Sequence, residues 1–352
     1  MSAALRQLGA MTMLGIRGAT PGDAKLEEDL DACAHAGVRM VILFDRDVAT
    51  GAERNVRSPG QVRALTEHIR ARLGNGALVA IDQEGGRVQR LSCAHGFKGW
   101  PSARAHAVLA VGEQSERSQE MARALAEAGV DLNFAPCVDV NINPASPVIG
   151  ALDRAYSDEP AEVAACALRV VRAHQATGVG CVLKHFPGHG SASTDSHHDL
   201  VDVSKSWDRE RELAPYRVLL DENVGVMTGH LILSQFDVDR PASLSRSITT
   251  GLLRDELGFT GPVFTDALDM EGVRARWSLR ETIRLAFEAG ADVFVHACNS
   301  ARGEYAPDVV RAMEALATEL GSLEARAARS LERVRLLAEP RSSTNRGSTP
   351  YE

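Results

Sequence analysis

The sequence predicts an α/β protein built as one single-domain, closed (β/α)8 barrel of the TIM type. Three observations lead there. Eight apolar, β-rich runs recur along the 352 residues, amphipathic Ala-, Arg- and Glu-rich stretches separate them, and several of those stretches end at a glycine. Alternation of strand and helix implies a parallel sheet, and eight such units in a chain of this length suit a closed barrel. A doubly wound open sheet shows the same alternation, but no GxGxxG or P-loop motif marks a nucleotide crevice.

The runs are Met11 to Ile16, Val38 to Phe44, Ala77 to Ile81, Val130 to Val140, Gly178 to Phe186, Val224 to Ile232, Pro262 to Leu268 and Asp292 to Ala297. Helical periodicity covers Lys25 to Ala36, Gln61 to Leu73, Ser115 to Ala128, Ala161 to Ala176 and Leu279 to Ala289. Gly37, Gly129, Gly178 and Gly290 stand where helix C-termini need a residue tolerant of left-handed backbone. The barrel is expected to occupy residues 1–339, and the Ser-, Arg- and Thr-rich stretch 340–352 reads as a disordered tail.

Hydrophobic residues make up 44% of the chain, enough for a full core, and the net charge is −8. That charge argues against nucleic acid or an anionic membrane as the main partner. None of the six cysteines forms a CxxC pair, so they read as free thiols in a reducing compartment. The apolar run at Met11 is far too short to span a bilayer and carries no signal-peptide features. These points lead to the expectation of a cytoplasmic protein without membrane attachment. The sequence leaves the oligomeric state open, with a monomer as the default.

The densest chemistry lies in residues 181–200, CVLKHFPGHGSASTDSHHDL. An apolar strand delivers Lys184 and His185 at its end. A Pro/Gly loop follows and carries Asp195, His197, His198 and Asp199. Asp195 and His197 are two apart, so on extended chain they point the same way. A carboxylate beside an imidazole sets its tautomer and raises its basicity, which suits a general acid/base. A metal site built from His185, His189, Asp195 and His197 is the sharper rival, although the spacing lacks the helical HExxH pattern.

Active groups of a barrel sit at the C-terminal ends of its strands, and the remaining candidates meet that test. Strand 3 runs into IDQEGGRVQR, with Asp82, Glu84 and Arg90. Strand 4 is followed, beyond Gly150, by Asp153 and Arg154. Strand 6 leads to His230, as suited to packing as to a site. Strand 7 ends in FTDALDM, where Asp266 competes with Asp269 for the role of reactive carboxylate. After strand 8, His296 and Asn299 are candidates for the pocket wall without an assigned role.

KHFPGHG followed by DSH resembles the signature of glycoside hydrolase family 3, in its β-N-acetylglucosaminidase branch. IDQEGGRVQR and TDAL match further motifs of that family. The resemblance implies a barrel, with Asp266 as nucleophile and His197, paired with Asp195, as acid/base. It also implies that Asp82, Arg90, Arg154, Lys184 and His185 bind the sugar. The segment before Arg154 is two residues longer than the family pattern, which leaves open a surface pairing of Arg154 with Asp153 or Asp158. The expected activity is that of a retaining exo-β-N-acetylglucosaminidase with no cofactor and no metal. The expected substrate is a small carbohydrate or muropeptide, GlcNAc linked to an anhydro-muramic sugar, in cell-wall recycling. A GlcNAc phosphorylase of the same family, a metal-dependent barrel hydrolase and a silent sugar-binding protein are the rivals.

Overall fold

The computed structural model describes residues 2–194, 200–320 and 323–339. The expected tail, 340–352, lies outside the described residues. Each of the eight apolar runs contains a strand: β1 Thr12–Gly15, β2 Met40–Leu43, β3 Leu78–Ile81, β4 Leu132–Asn133, β5 Gly180–Phe186, β6 Val224–Thr228, β7 Val263–Thr265 and β8 Phe294–His296. They neighbour one another in chain order, all parallel, with β8 beside β1. A parallel bridge between Phe264 and Val293 joins β7 to the start of β8 and closes the ring.

The strands read as continuous apolar runs because both faces are covered. In β2, Met40 and Ile42 join the barrel interior with Met13, Ala80, Phe264 and Val295. Val41 and Leu43 point the other way, into the layer packed by the surrounding helices. Local signals fix those helices. Ala24–Ala36 starts on the Asp23 cap and stops at Gly37, whose φ is 76°. Leu279–Ala289 opens with a capping box between Ser278 and Glu281 and stops at Gly290, φ 108°.

Every strand is shorter than its apolar run, and in two of them the break has a visible cause or a new partner. The run Val130 to Val140 yields only Leu132–Asn133 in regular pairing, because Pro136 has no N–H to give the ladder. Pairing with β5 resumes as a single bridge, Cys137 to Lys184. The run Val224 to Ile232 breaks after Thr228, and Leu231–Ile232 pairs instead with Val201–Asp202.

The last helix, Glu324–Leu337, contributes Val334 and Leu337 to the barrel interior cluster. Leu337 packs so close to the starts of β5 and β6 that a Cβ on Gly180 would lie 2.9 Å from its Cγ. The same helix anchors to Asp292, whose side chain is fully buried before β8. Asp292 accepts from Arg254, from the Val263 amide at 3.0 Å, from Ser330 at 2.7 Å and from Arg333 at 3.0 Å. It ties β7, β8 and the last helix at one point. Replacing it by alanine leaves two arginines without their shared anion. Asp292→Ala is therefore expected to cost about 3–5 kcal/mol of stability, the range for breaking a buried pair, read from urea unfolding followed by circular dichroism.

Candidate active site

A cleft of about 520 Å³ opens where the C-terminal ends of the strands converge, and Asp82, Arg90, Arg154, Lys184, His185 and Asp266 all line it. This is within the size range of small-ligand sites. Asp82 directly follows β3. The chain then forms a short hairpin, Gln83–Gly85 against Val88–Gln89. Gly85 (φ 97°) passes so near Pro101 that a Cβ would lie 2.2 Å from its carbonyl oxygen, so only glycine fits. The Gln83 side chain accepts from the Arg90 and Leu91 amides, both at 2.9 Å. That returns Arg90 to the mouth, with Nη2 3.4 Å from Asp82 Oδ2.

Lys184 and His185 are consecutive, and on a regular strand they would face opposite ways. The register of β5 against β6 shifts between Leu183 and Phe186, and both side chains reach the cleft. Lys184 Nζ sits 2.7 Å from both Asp82 Oδ1 and Glu84 Oε1. Glu84 also receives a two-point contact from Arg154, Nε at 2.9 Å and Nη2 at 2.7 Å. Arg154 thus reaches the cleft despite the longer segment before it. The surface pairing with Asp153 or Asp158 is not what forms: Arg154 is nearly buried, and its remaining contacts are the Val148 carbonyl and His185 Nε2.

The charges in this network hold one another ionised. Burial opposes ionisation of Glu84, but Arg154 and Lys184 outweigh it and hold its pKa well below the usual carboxylate range. Burial likewise opposes the charge on Asp82, and Lys184 with Arg90 overcomes it, lowering its pKa. Burial would discharge Lys184, yet Asp82 and Glu84 raise its pKa. Arg154 follows the same pattern: burial is outweighed by Glu84, and its pKa rises.

Glu84 stood in the sequence motif without a role. Asp139 was missed altogether, since a lone acidic residue in an apolar run carries no spacing signal. It is fully buried and organises His185, accepting from its Nδ1 at 2.7 Å and its amide at 3.2 Å. It also accepts from the His189 amide at 2.8 Å. Burial opposes the Asp139 charge, but His185 outweighs it and lowers its pKa strongly. An Asp on Nδ1 leaves Nε2 of His185 as the ring atom directed toward Arg154.

On the far wall, the two carboxylates after β7 separate cleanly. Asp266 lines the cleft, its amide donating to the Thr228 carbonyl at 2.9 Å and its Oδ1 accepting from the Ala267 amide at 2.8 Å. Asp269 is buried behind the wall and accepts from the Ala297 amide at 2.7 Å and the Asn299 amide at 3.2 Å. Asp269 therefore fastens the ends of β7 and β8 together and does not face a ligand. His230 is also buried, with Nδ1 2.7 Å from Ser243 Oγ and Nε2 2.9 Å from the Ala267 carbonyl. It supports the turn that carries Asp266. Asn299 lines the cleft and clamps the loop after β2, accepting from the Val48 amide at 2.9 Å and donating to the Arg46 carbonyl at 3.1 Å. His296 is buried outside the cleft lining, and burial pushes its pKa down to about 3.

Asp195 and His197 lie outside the described residues, as do His198 and Asp199. Of the four groups in the metal reading, only His185 and His189 can be placed. Among the described residues, Cys137, Asp139 and His185 come close enough to share an ion. They are already occupied with one another: Cys137 donates to Asp139 at 3.2 Å, and Asp139 holds His185 Nδ1. Burial, reinforced by Asp139, pushes the Cys137 thiol far up, which disfavours the thiolate a metal needs. The donor set fits a hydrogen-bonded support better than a metal centre. All six cysteines are free, five of them buried and Cys93 exposed. No helix among the described residues is long and apolar enough to cross a membrane.

A barrel whose strand ends gather carboxylates, a lysine and two arginines around one cleft can bind a polar, hydroxyl-rich ligand. Residues 4–336 match the model of the glycosyl hydrolase family 3 N-terminal domain. The chain belongs to glycoside hydrolase family 3. A beta-hexosaminidase of Aromatoleum aromaticum is 37% identical over 309 residues, covering 85% of this chain and 82% of that protein. Among solved structures, a beta-N-acetylhexosaminidase from Beutenbergia cavernae superposes with a TM-score of 0.82 at 30% identity, covering 96% of this chain and 99% of the other. NagZ from Neisseria gonorrhoeae, solved with N-trifluoroacetyl-D-glucosamine, superposes with a TM-score of 0.76 at 28% identity, covering 94% and 90%.

The depressed pKa of Glu84 has a consequence for stability. Its ionised form contributes fully above the ordinary Glu pKa of about 4.3, and that contribution is lost as the pH falls toward the lowered folded-state value. Glu84→Gln leaves Arg154 without its carboxylate and Lys184 with Asp82 alone, and is expected to cost roughly 3–5 kcal/mol at pH 7. The gap between wild type and variant should narrow as the pH is lowered from 5 to 3. Urea midpoints across that range provide the check, and a constant gap would mean that Glu84 is not held ionised.

Proposed function

We propose that this enzyme is a retaining exo-β-N-acetylglucosaminidase that removes terminal β-linked GlcNAc. One observation carries the reading. Asp266, alone of the two carboxylates in FTDALDM, faces the cleft lined by Asp82, Arg90, Arg154, Lys184 and His185. The hexosaminidase names of the relatives support the choice of sugar.

In this reading Asp266 attacks C1 of the bound sugar. The C1–O bond to the leaving group breaks, and a covalent glycosyl-enzyme forms. His197, oriented by Asp195, gives its proton to the departing oxygen. In the second step the same imidazole takes a proton from water, the water oxygen attacks C1, and Asp266 leaves as carboxylate. This is the retaining double displacement with an imidazole in place of the second carboxyl group. The Asp–His pair follows the orienting logic of a hydrolytic triad.

The described residues account for binding. Asp82 is held ionised and oriented by Lys184 and Arg90, so it can accept from two neighbouring hydroxyls at once. Lys184 and His185 are fixed by Glu84, Asp82 and Asp139, so they can meet a sugar without reorganising. Release of GlcNAc from peptidoglycan-derived GlcNAc–anhydro-muramic fragments is the biological role proposed.

Two measurements test this reading. Wild type should hydrolyse aryl β-N-acetylglucosaminides in preference to aryl β-glucosides, with no requirement for added metal or phosphate. Asp266→Ala should lose at least about 10⁴-fold in kcat, as expected when a covalent nucleophile is removed. Preference for the glucoside, dependence on phosphate or an active Asp266→Ala would each overturn it.

A further inference from the structure

The loop that leads to the proposed acid/base leaves β5 through a stem that is fastened atom by atom. The Pro187 carbonyl accepts from Trp207 Nε1 at 3.1 Å, and the Gly188 amide donates to the His185 carbonyl at 2.8 Å. The Gly190 carbonyl accepts from the Asn143 amide at 2.9 Å, and the Ala192 carbonyl accepts from Asn143 Nδ2 at 2.9 Å. Two buried carboxyl groups hold amides two residues apart. Asp139 takes the His189 amide, and Glu212 takes the Ser191 amide at 3.1 Å through Oε1.

Glu212 lies on the helix Arg209–Leu219, is 1% exposed and does not line the cleft. The stem is pressed onto it without slack. A Cβ on Gly188 would fall 2.3 Å from Glu212 Oε2, and one on Gly190 would fall 1.6 Å from the Val140 carbonyl oxygen. The two glycines of PGHG therefore let the backbone pass between this carboxyl and the segment after β4. Glu212 Oε2 itself is buried without a hydrogen-bond partner among the described residues. That is an expensive place for an acidic side chain if packing were its only task. Burial, and then the Asp139 carboxylate, push the Glu212 pKa up to about 8.

We propose that Glu212 is a positioning residue for the acid/base assigned above, through its hold on the stem at Gly188 and Ser191, from which the sequence continues to Asp195 and His197. Asp139 also grips the stem, but it holds His185 as well, so its loss would disturb the cleft directly. Glu212 makes its hydrogen bond to the stem, at Ser191, and none to His185. The inference rests on the acid/base role given above to His197.

The leaving group provides the test. General-acid help matters for a phenyl glycoside and hardly at all for a 2,4-dinitrophenyl glycoside, whose phenolate departs unaided. The value of kcat/KM reports the bond-breaking step for both. Glu212→Leu should lower kcat/KM on phenyl β-N-acetylglucosaminide by at least about tenfold, within the range assigned to general-acid catalysis, and change the dinitrophenyl substrate by less than about threefold. Glu212→Gln keeps an acceptor oxygen for the Ser191 amide and should stay within about threefold of wild type on both substrates. Should Glu212→Leu fail to fold, Gly188→Ala, which drives a methyl group against Glu212, should show the same split.

Equal losses on the two substrates, a wild-type Glu212→Leu, or a Gln variant no better than Leu would overturn the proposal. His197→Ala is the control, expected to show the same split with a larger loss. If it shows the split and the Glu212 variants do not, the positioning role alone fails. If it shows none, the acid/base assignment fails and the positioning role falls with it.

Discussion

Four charged side chains in near-complete burial, Asp82, Lys184, Glu84 and Arg154, form one continuous network across the mouth of the barrel. Each ion alone would be driven to its neutral form by desolvation. Two carboxylates and two cations together keep one another charged, and their contacts run from the end of β3 to the end of β5 and the segment after β4. Such a network adds little net stability over a well-packed apolar core. What it supplies here is position. Lys184 and Arg154, which line the cleft, are both held by Glu84, which does not.

Asp139 repeats the arrangement one step further along the sheet. Its carboxylate sets the His185 ring through Nδ1 and pins the first residues of the following loop. On the opposite wall, Asp269 and His230 fix the turn after β7, so that Asp266 meets the cleft from a backbone held at Thr228 and Ala267. The groups that line the cleft thus stand on strand ends, and buried polar groups behind them hold them there. Preorganised charge of this kind lowers the reorganisation needed when charge develops on a bound ligand.

Much of this was legible in the chain, for definite reasons. Eight apolar runs became eight strands because a barrel strand is covered on both faces and needs no alternation. Asp82, Lys184, His185 and Asp266 could be named because barrel chemistry sits just past an apolar run. What escaped depends on contacts between distant segments. Glu84 gains its meaning from Arg154, seventy residues on. Asp139 gains its meaning from His185, and Asn299 from the loop at Val48. Pro136 shortened a strand that hydrophobicity alone extended. The pocket-wall candidate His296 turned out to lie away from the cleft, and the doubtful reach of Arg154 was resolved by its pairing with Glu84.

The central claim is that Asp266 becomes covalently bonded to the sugar. The most direct measurement is mass spectrometry of the enzyme inactivated with a 5-fluoro β-N-acetylglucosaminyl fluoride, whose glycosyl-enzyme breaks down slowly. The account predicts a single added 5-fluoro-GlcNAc residue, located after proteolysis on the peptide that contains Asp266 and absent from Asp266→Ala. A label on Asp269 or another residue, or turnover with no trapped intermediate and inverted configuration at C1, would contradict it.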